Sequence, residues 1–96
     1  MSEIAKTTCR TPNATGTTNI PTWKFEAVRA AILEACSGDG IAFKDLPAAV
    51  GERLSEPDRE ALGSLGWHTT TVKLELEVAG EIARVAGRSP QWLVRV

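Results

Sequence analysis

The sequence predicts one α+β domain that combines three main helices with a small amount of β-structure near the C-terminus. Two observations predict this class. Apolar residues recur at helical spacing in several segments, and two short β-prone runs, Ile82–Val85 and Gln91–Val96, follow the last of them. The length of 96 residues is enough for one modest hydrophobic core. We therefore expect a small set of helices that pack against a C-terminal β-hairpin.

Residues 1–20 are rich in Thr, Ser, Asn and Gly and show no apolar periodicity. This composition is typical of a tail or an extended strap. We assign the folded domain to residues 21–96, because Ile20-Pro21-Thr22 marks a boundary and Thr22 can cap a helix. The first residues lack the pattern of a secretory signal, and no apolar run could span a bilayer. These features predict a cytoplasmic protein without a membrane partner.

The first helix is predicted from Trp23 to Cys36. Gly38, in the Ser-Gly-Asp-Gly stretch that follows, suits the left-handed conformation that ends many helices. Cys36 lies near the helix end and is expected to be buried as a small apolar residue. The apolar positions that share the inner face of this helix are Phe25, Val28, Ile32 and Ala35.

A short strand and two further helical segments are predicted next. Ile41–Phe43 is β-prone, and a second helix begins near Lys44. Ser55 can cap an extra short helix, Arg59–Leu62, which Gly63 ends. The apolar edge of the second helix consists of Leu46, Val50 and Leu54.

The third main helix is predicted to begin after Trp67-His68-Thr69 and to end at Gly80. At about 100° per residue, its core stripe consists of Val72, Leu76 and Ala79. Thr70 and Lys73 fall on the opposite arc near the helix N-terminus, which predicts that solvent or a ligand faces them. The acidic residues Glu77 and Glu81 lie on the same outer arc.

A second apolar strip, Leu74 and Val78, lies on the flank of this helix. An exposed apolar strip usually marks an interaction site, so the strip needs a cover. The first helix, the N-terminal strap and a second subunit are the three alternatives. Trp92 is a further candidate contact residue if the alternation of the last strand places it outward.

The charge of the chain is uneven, although its formal net value is only −1. The basic side chains after residue 81 are Arg84, Arg88 and Arg95, and no acidic residue accompanies them. The proposed hairpin is therefore the one clearly basic segment of the sequence. Basic side chains on a projecting hairpin are typical of contacts with a phosphate backbone.

The order of elements from Phe25 to Val96 resembles the winged helix-turn-helix superfamily. Residues 71–85 resemble its third helix running into the hairpin, which is called the wing. Residues 24–28 and 31–33, with Gly66-Trp67 and 72–74, look more closely like a small uncharacterised bacterial family of winged-helix-like domains. The superfamily resemblance implies binding of double-stranded DNA, yet many superfamily members mediate protein contacts instead.

Two functions follow as hypotheses. In the first, Thr70 and Lys73 enter a groove of double-stranded DNA while the wing arginines hold its backbone, which gives weak binding with a regulatory role. In the second, the chain is a protein-interaction module that uses Leu74, Val78 and Trp92 toward a protein partner or a second copy. The two hypotheses are distinguished by measuring binding to DNA and binding to a protein partner or a second copy, each with and without the side chains that the hypothesis names.

No pattern in the sequence predicts an enzyme, a cofactor or a metal site. His68 is the one histidine, and Cys9 and Cys36 are too few and too differently placed for a disulfide framework or a zinc site. The Gly-x-Ser-x-Gly motif of serine hydrolases is absent. We therefore expect His68 to have a packing or capping role.

Overall fold

The computed structural model describes residues 5–12 and 14–96, which form a mixed α+β fold with two small antiparallel sheets. Residues 1–4 and 13, which belong to the predicted tail or strap, lie outside this range. A 3₁₀ turn, Phe43–Asp45, connects β3 to α2 in the order that follows. The elements are β1 (Lys6–Thr11), β2 (Ala14–Pro21), α1 (Thr22–Ala35), β3 (Ile41–Ala42), α2 (Leu46–Arg53), α3 (Glu56–Leu62), α4 (Leu65–Ala79), β4 (Ile82–Arg84) and β5 (Trp92–Arg95).

Strands β1 and β2 form an antiparallel hairpin, although the composition of this segment predicted no strands. Its register pairs Cys9 with Thr18, and a bulge follows Arg10. The many threonines are β-branched and favour extended backbone. Cys9 and Ile20 are each 2% exposed, so the hairpin is attached to the core by its apolar side chains. The division of the chain near residue 20 stays a prediction.

Hydroxyl groups cap two of the helices. Ser55 accepts a hydrogen bond from the Asp58 N–H at 3.3 Å, which confirms the predicted cap, although α3 begins at Glu56 and not at Arg59. Ser64 accepts one from the Trp67 N–H at 3.2 Å, so α4 begins earlier than predicted. The expected cap at Thr22 is wrong, because Thr22 is the first residue of α1 and no side chain caps this helix.

The two β-prone runs near the C-terminus pair as predicted. Strand β4 pairs with β5 in antiparallel orientation, with Ala83 opposite Val94. Strand β3 pairs with the other side of β5, with Ile41 opposite Leu93, which gives the order β3-β5-β4. The left-handed conformation of Gly80, at φ 78°, turns the chain from α4 into β4. Leu93 is fully buried, so the face of this sheet that carries Leu93 packs on the core.

Helix α4 lies at the centre of the molecule and packs against α1, α2, α3, β1 and β4. Val72 and Leu76 are fully buried, as the helical wheel predicted. Ala79, the third member of the predicted core stripe, is exposed. The prediction for Ala79 is wrong because this residue is the last of α4 and lies beyond the layer that packs on the other elements. Cys36 is fully buried, as predicted.

Gly40 connects α1 to β3 at a point where the backbone passes close to β5. We expect Gly40→Ala to lower the free energy of unfolding by at least about 2 kcal/mol. The reason is that φ is +83° and a Cβ atom would lie 2.3 Å from the Leu93 carbonyl oxygen. Urea unfolding of the purified variant measures this loss.

Gly38→Ala is the matched control, because Gly38 also has a positive φ, +66°, but a Cβ there would meet nothing within 4 Å. We expect Gly38→Ala to lower the free energy of unfolding by about 1 kcal/mol, from the backbone conformation alone. Equal losses in the two variants would contradict the close approach of Gly40 to β5.

Candidate functional site

The side chain of Lys73 is buried, which corrects the prediction that it lies on the outer arc of the third helix. Lys73 is 2% exposed. Its ammonium lies 3.0 Å from a Glu77 carboxylate oxygen and 4.5 Å from the centre of the Phe43 ring. The helical wheel missed this burial because the 3₁₀ turn that carries Phe43 covers the side of α4 on which Lys73 lies. A ligand cannot reach this ammonium without displacing the turn.

Glu77 connects the buried lysine to the hairpin of β4 and β5. One of its carboxylate oxygens contacts Lys73, and the other accepts a hydrogen bond from Arg84 Nε at 2.8 Å. Buried charges are tolerated when they are paired, and Glu77 supplies the partner for the buried Lys73 and also pairs with the exposed Arg84. Arg84, which was expected to bind phosphate, thus contributes to attaching the hairpin to α4.

A second ion pair connects β1 to α4. Arg10 donates hydrogen bonds from Nε at 2.9 Å and from its terminal nitrogen at 2.5 Å to the two carboxylate oxygens of Glu75. The backbone N–H of Arg10 also donates to Glu75, at 2.8 Å. The hydrogen bond from the Arg10 guanidinium lowers the pKa of the Glu75 carboxyl, although partial burial opposes this effect. Glu75 therefore remains ionised and ties the first hairpin to the central helix.

The solvent-facing side of α4 carries no charged residue. Relative to Val72, its residues fall at about 160° to 260° on the helical wheel. Trp67 is 48% exposed and Val78 is 36% exposed, while the residues between them are half-buried. We call this surface the exposed α4 face. Its members are Trp67, Thr70, Thr71, Leu74 and Val78.

The remaining predicted contact residues lie on the β3-β5-β4 sheet. The Arg88 guanidinium lies 3.6 Å from the centre of the Trp92 ring, so it stacks on the indole. Trp92 is half-buried, and its Nε1 donates to the Asp39 carbonyl oxygen at 2.8 Å. Successive residues of β5 point to opposite faces of the sheet. Because Leu93 is buried, Trp92 lies on the face that points away from the core. The Arg95 side chain is exposed.

The predicted site residues therefore fall into three places. Lys73 and Arg84 belong to the ion-pair network around Glu77, while Arg88, Trp92 and Arg95 lie on β5 and its loop. The members of the exposed α4 face that the sequence predicted as contacts are Thr70, Leu74 and Val78. Sequence reasoning missed Trp67 and Thr71, which share this face at spacings of seven and three residues before Leu74. Once α4 is known to begin at Leu65, the helical wheel places both residues on this face.

His68, the one histidine of the sequence, lies in the first turn of α4. His68 is buried, and its Nδ1 lies 2.6 Å from the Ser64 carbonyl oxygen, while its ring meets Trp67 edge to face. Among the residues that the structure describes, no group of three or more His, Cys, Asp and Glu side chains could hold a metal ion. A cleft between α2 and α3 is lined by Gly51, Glu52, Leu54, Glu56, Arg59 and Glu60.

Across residues 5–12 and 14–96, none of the helices has both the length and the apolar character that a membrane-spanning segment needs.

Residues 6–93 match a family of unknown function, DUF6958. The chain belongs to this family. The DUF6958 match begins at the first residue of β1 and ends within β5, so it includes the hairpin as well as the helices. No curated protein and no solved structure matches the chain. The family description assigns no activity to the DUF6958 chain, so its function is inferred below from its geometry.

The ion pair of Arg10 with Glu75 makes the stability of this DUF6958 chain dependent on pH. Because the folded-state pKa of Glu75 is lowered, the pair stabilises the fold at neutral pH and loses this effect as the pH falls through the folded-state pKa. We expect Glu75→Gln to lower the free energy of unfolding at pH 7, and we expect the difference from wild type to narrow at pH 3. Urea unfolding at both pH values measures this.

Glu52→Gln is the control, because it removes a carboxylate from an exposed position on α2. We expect Glu52→Gln to follow the wild type within about 0.5 kcal/mol at pH 7. A Glu75→Gln deficit that is the same at pH 3 and pH 7 would show that the ion pair does not stabilise the fold.

Proposed function

We propose that the chain is a protein-interaction module on a winged-helix-like scaffold, and that it associates with a second copy of itself through the exposed α4 face. The scaffold part of this proposal is supported by the chain order of α1, β3, α2, α3, α4 and the β4–β5 hairpin, together with the pairing of β3 with β5. In such a scaffold α4 corresponds to the helix that the resemblance assigns to recognition. The chemistry of its exposed face then decides the kind of partner.

The observation that carries the proposal is the absence of charge on the exposed α4 face. Trp67 and Val78 are substantially exposed at its two ends, and Leu74 lies between them. Fully buried centres of protein interfaces are depleted of charged residues and enriched in aromatic ones. A face of this composition gains free energy when another apolar surface removes it from water.

The same face is poorly suited to a DNA groove. Most of the affinity for the phosphate backbone comes from cations, and base edges are read by hydrogen-bonding side chains near the helix N-terminus. Lys73 is buried against Glu77, and Arg84 is paired with the same carboxylate. The hydroxyls of Thr70 and Thr71 and the indole N–H of Trp67 are the side-chain hydrogen-bonding groups that α4 offers on its exposed face. These observations favour the protein-interaction hypothesis over the nucleic-acid hypothesis.

A second copy of the chain fits the exposed α4 face by its shape. The large Trp67 lies near one end of the face and the smaller Val78 near the other, about 16 Å apart along the helix. If two α4 helices pack antiparallel about a two-fold axis, each Trp67 lies against the other copy's Val78. Such an interface is isologous and closes with two copies. Because the face carries no charge, the two copies do not repel each other at this surface.

Replacement of the apolar side chains by carboxylates tests this association. We expect Leu74→Glu/Val78→Glu to weaken association through the exposed α4 face at least about a hundredfold, because like charges would face each other in the interface. Sedimentation velocity measures the resulting fall in the size of the assembly. Circular dichroism should retain the helical signal of the wild type. Thr71→Arg is a second variant at the centre of the same face and should act in the same direction.

The matched control is Ala48→Glu/Ala61→Glu, which adds the same charge at exposed positions of α2 and α3. This control should associate like the wild type. A monomeric wild type, or association that the α4 substitutions leave unchanged while the fold is retained, would overturn the proposal.

Titration of a mixed-sequence DNA duplex at low and moderate salt tests the nucleic-acid hypothesis directly. We expect the wild type and Arg84→Ala/Arg88→Ala/Arg95→Ala to behave alike, without salt-dependent binding. Wild-type binding that weakens with salt at a slope near −0.9 per phosphate contact, and that the triple variant loses, would instead support DNA binding.

A further inference from the structure

The hairpin of β1 and β2 has two long edges, one on each strand, and α4 packs against β1. The Thr22 N–H donates to the Ala5 carbonyl oxygen at 2.7 Å, which identifies residues 5 and 22 as a hydrogen-bonded pair. In an antiparallel ladder, hydrogen-bonded pairs alternate with pairs whose N–H and C=O groups point away from the partner strand. With the observed register, the outward groups belong to Lys6, Thr8 and Arg10 on β1 and to Thr17, Asn19 and Pro21 on β2, where Pro21 has no N–H.

The β1 edge is covered by α4 at Arg10. The outward N–H of Arg10 donates to the Glu75 carboxylate at 2.8 Å, which agrees with the alternation deduced from Thr22. The β2 edge has no such cover, because no backbone or side-chain partner from the described residues meets the outward backbone groups of Thr17 and Asn19. Both residues are exposed.

The β2 edge also lacks the features that usually protect an edge strand. Natural edges are blunted by Lys, Pro, bulges or inward charges. Strand β2 contains no charged residue, and its proline, Pro21, is the last residue of the strand. The bulge in the hairpin lies next to Arg10 and Thr11 of β1. An uncharged, unprotected strand of 8 residues is a template for pairing with another strand.

We infer that β2 pairs in antiparallel orientation with β2 of a second copy, which gives a four-stranded sheet in the order β1-β2-β2-β1. A two-fold axis at Thr18 places Thr17 of each copy opposite Asn19 of the other, so that the outward N–H and C=O groups of these two residues are used in both copies. The absence of charge on β2 means that two copies meet without repulsion, and threonine pairs are favourable across strands. An isolated two-stranded hairpin is marginally stable, and two added strands extend its ladder.

This interface is separate from the exposed α4 face, so it is tested in the Leu74→Glu/Val78→Glu background. There, sedimentation velocity should still detect a dimer, and Thr17→Pro should convert it to a monomer. Proline removes an N–H that has no partner within one chain, so Thr17→Pro should retain the circular dichroism spectrum of its parent. The control is Thr17→Ser, which keeps the N–H and should keep the dimer.

A dimer that persists in Thr17→Pro, or a Leu74→Glu/Val78→Glu protein that is monomeric at all concentrations, would overturn the inference about β2. Neither result bears on the exposed α4 face, which is tested by comparing the wild type with Leu74→Glu/Val78→Glu. The two interfaces can therefore fail independently.

A disulfide cross-link tests the register. In a non-hydrogen-bonded antiparallel pair the two Cα atoms lie about 4.5 Å apart, within the range of a disulfide. We expect Cys9→Ala/Thr18→Cys to form a covalent dimer under mild oxidation, because Thr18 of each copy would face Thr18 of the other. The Cys9→Ala change removes the thiol that is paired with position 18 in the same chain.

Cys9→Ala/Thr8→Cys is the matched control, because Thr8 is exposed on β1 and away from the β2 edge. This control should remain monomeric on a non-reducing gel. Equal cross-linking of the two variants would contradict pairing through β2.

Discussion

The placement of α4 at the centre of the molecule is the constraint on which the other features depend. A helix that packs against five other elements must bury residues on more than one side, and α4 buries Lys73 and Glu75 as well as Val72 and Leu76. Buried charges require partners. Glu77 supplies one for Lys73, and Arg10 supplies one for Glu75. The ion pairs therefore follow from the central position of the helix.

These ion pairs also determine which surfaces remain for a partner. Two glutamates join α4 to different β-hairpins. Glu77 contacts Arg84 of β4, and Glu75 contacts Arg10 of β1. The charged residues of α4 are thereby turned toward the hairpins, and the side that faces solvent carries only uncharged residues. A surface without charge on a chain with 24% charged residues is the feature that led us to propose a protein partner.

The sequence predicted the elements that depend on local patterns and missed those that depend on distant contacts. The α3 cap at Ser55, the turn at Gly80 and the pairing of β4 with β5 were predictable, because each rests on local sequence signals. The burial of Lys73 was not, because it depends on Phe43, which lies 30 residues earlier in the chain. The first hairpin was missed because its threonines show no apolar alternation, and its anchor at Glu75 lies 65 residues from Arg10. For the candidate site, Leu74 and Val78 were found, and Trp67 required the true start of the helix.

The contact between Glu75 and the β1 edge affects how many chains could join an assembly that forms through β2. A two-stranded sheet with two open edges could add copies at both edges and extend without limit. In this chain the carboxylate of Glu75 takes the outward N–H of Arg10, and the Arg10 side chain holds the same carboxylate. A strand that paired along the whole of β1 would have to displace Glu75 from Arg10, whereas pairing along β2 meets no such contact among the described residues. The ion pair that fixes the hairpin on α4 would therefore also oppose extension of the sheet at β1 and favour an assembly of two chains.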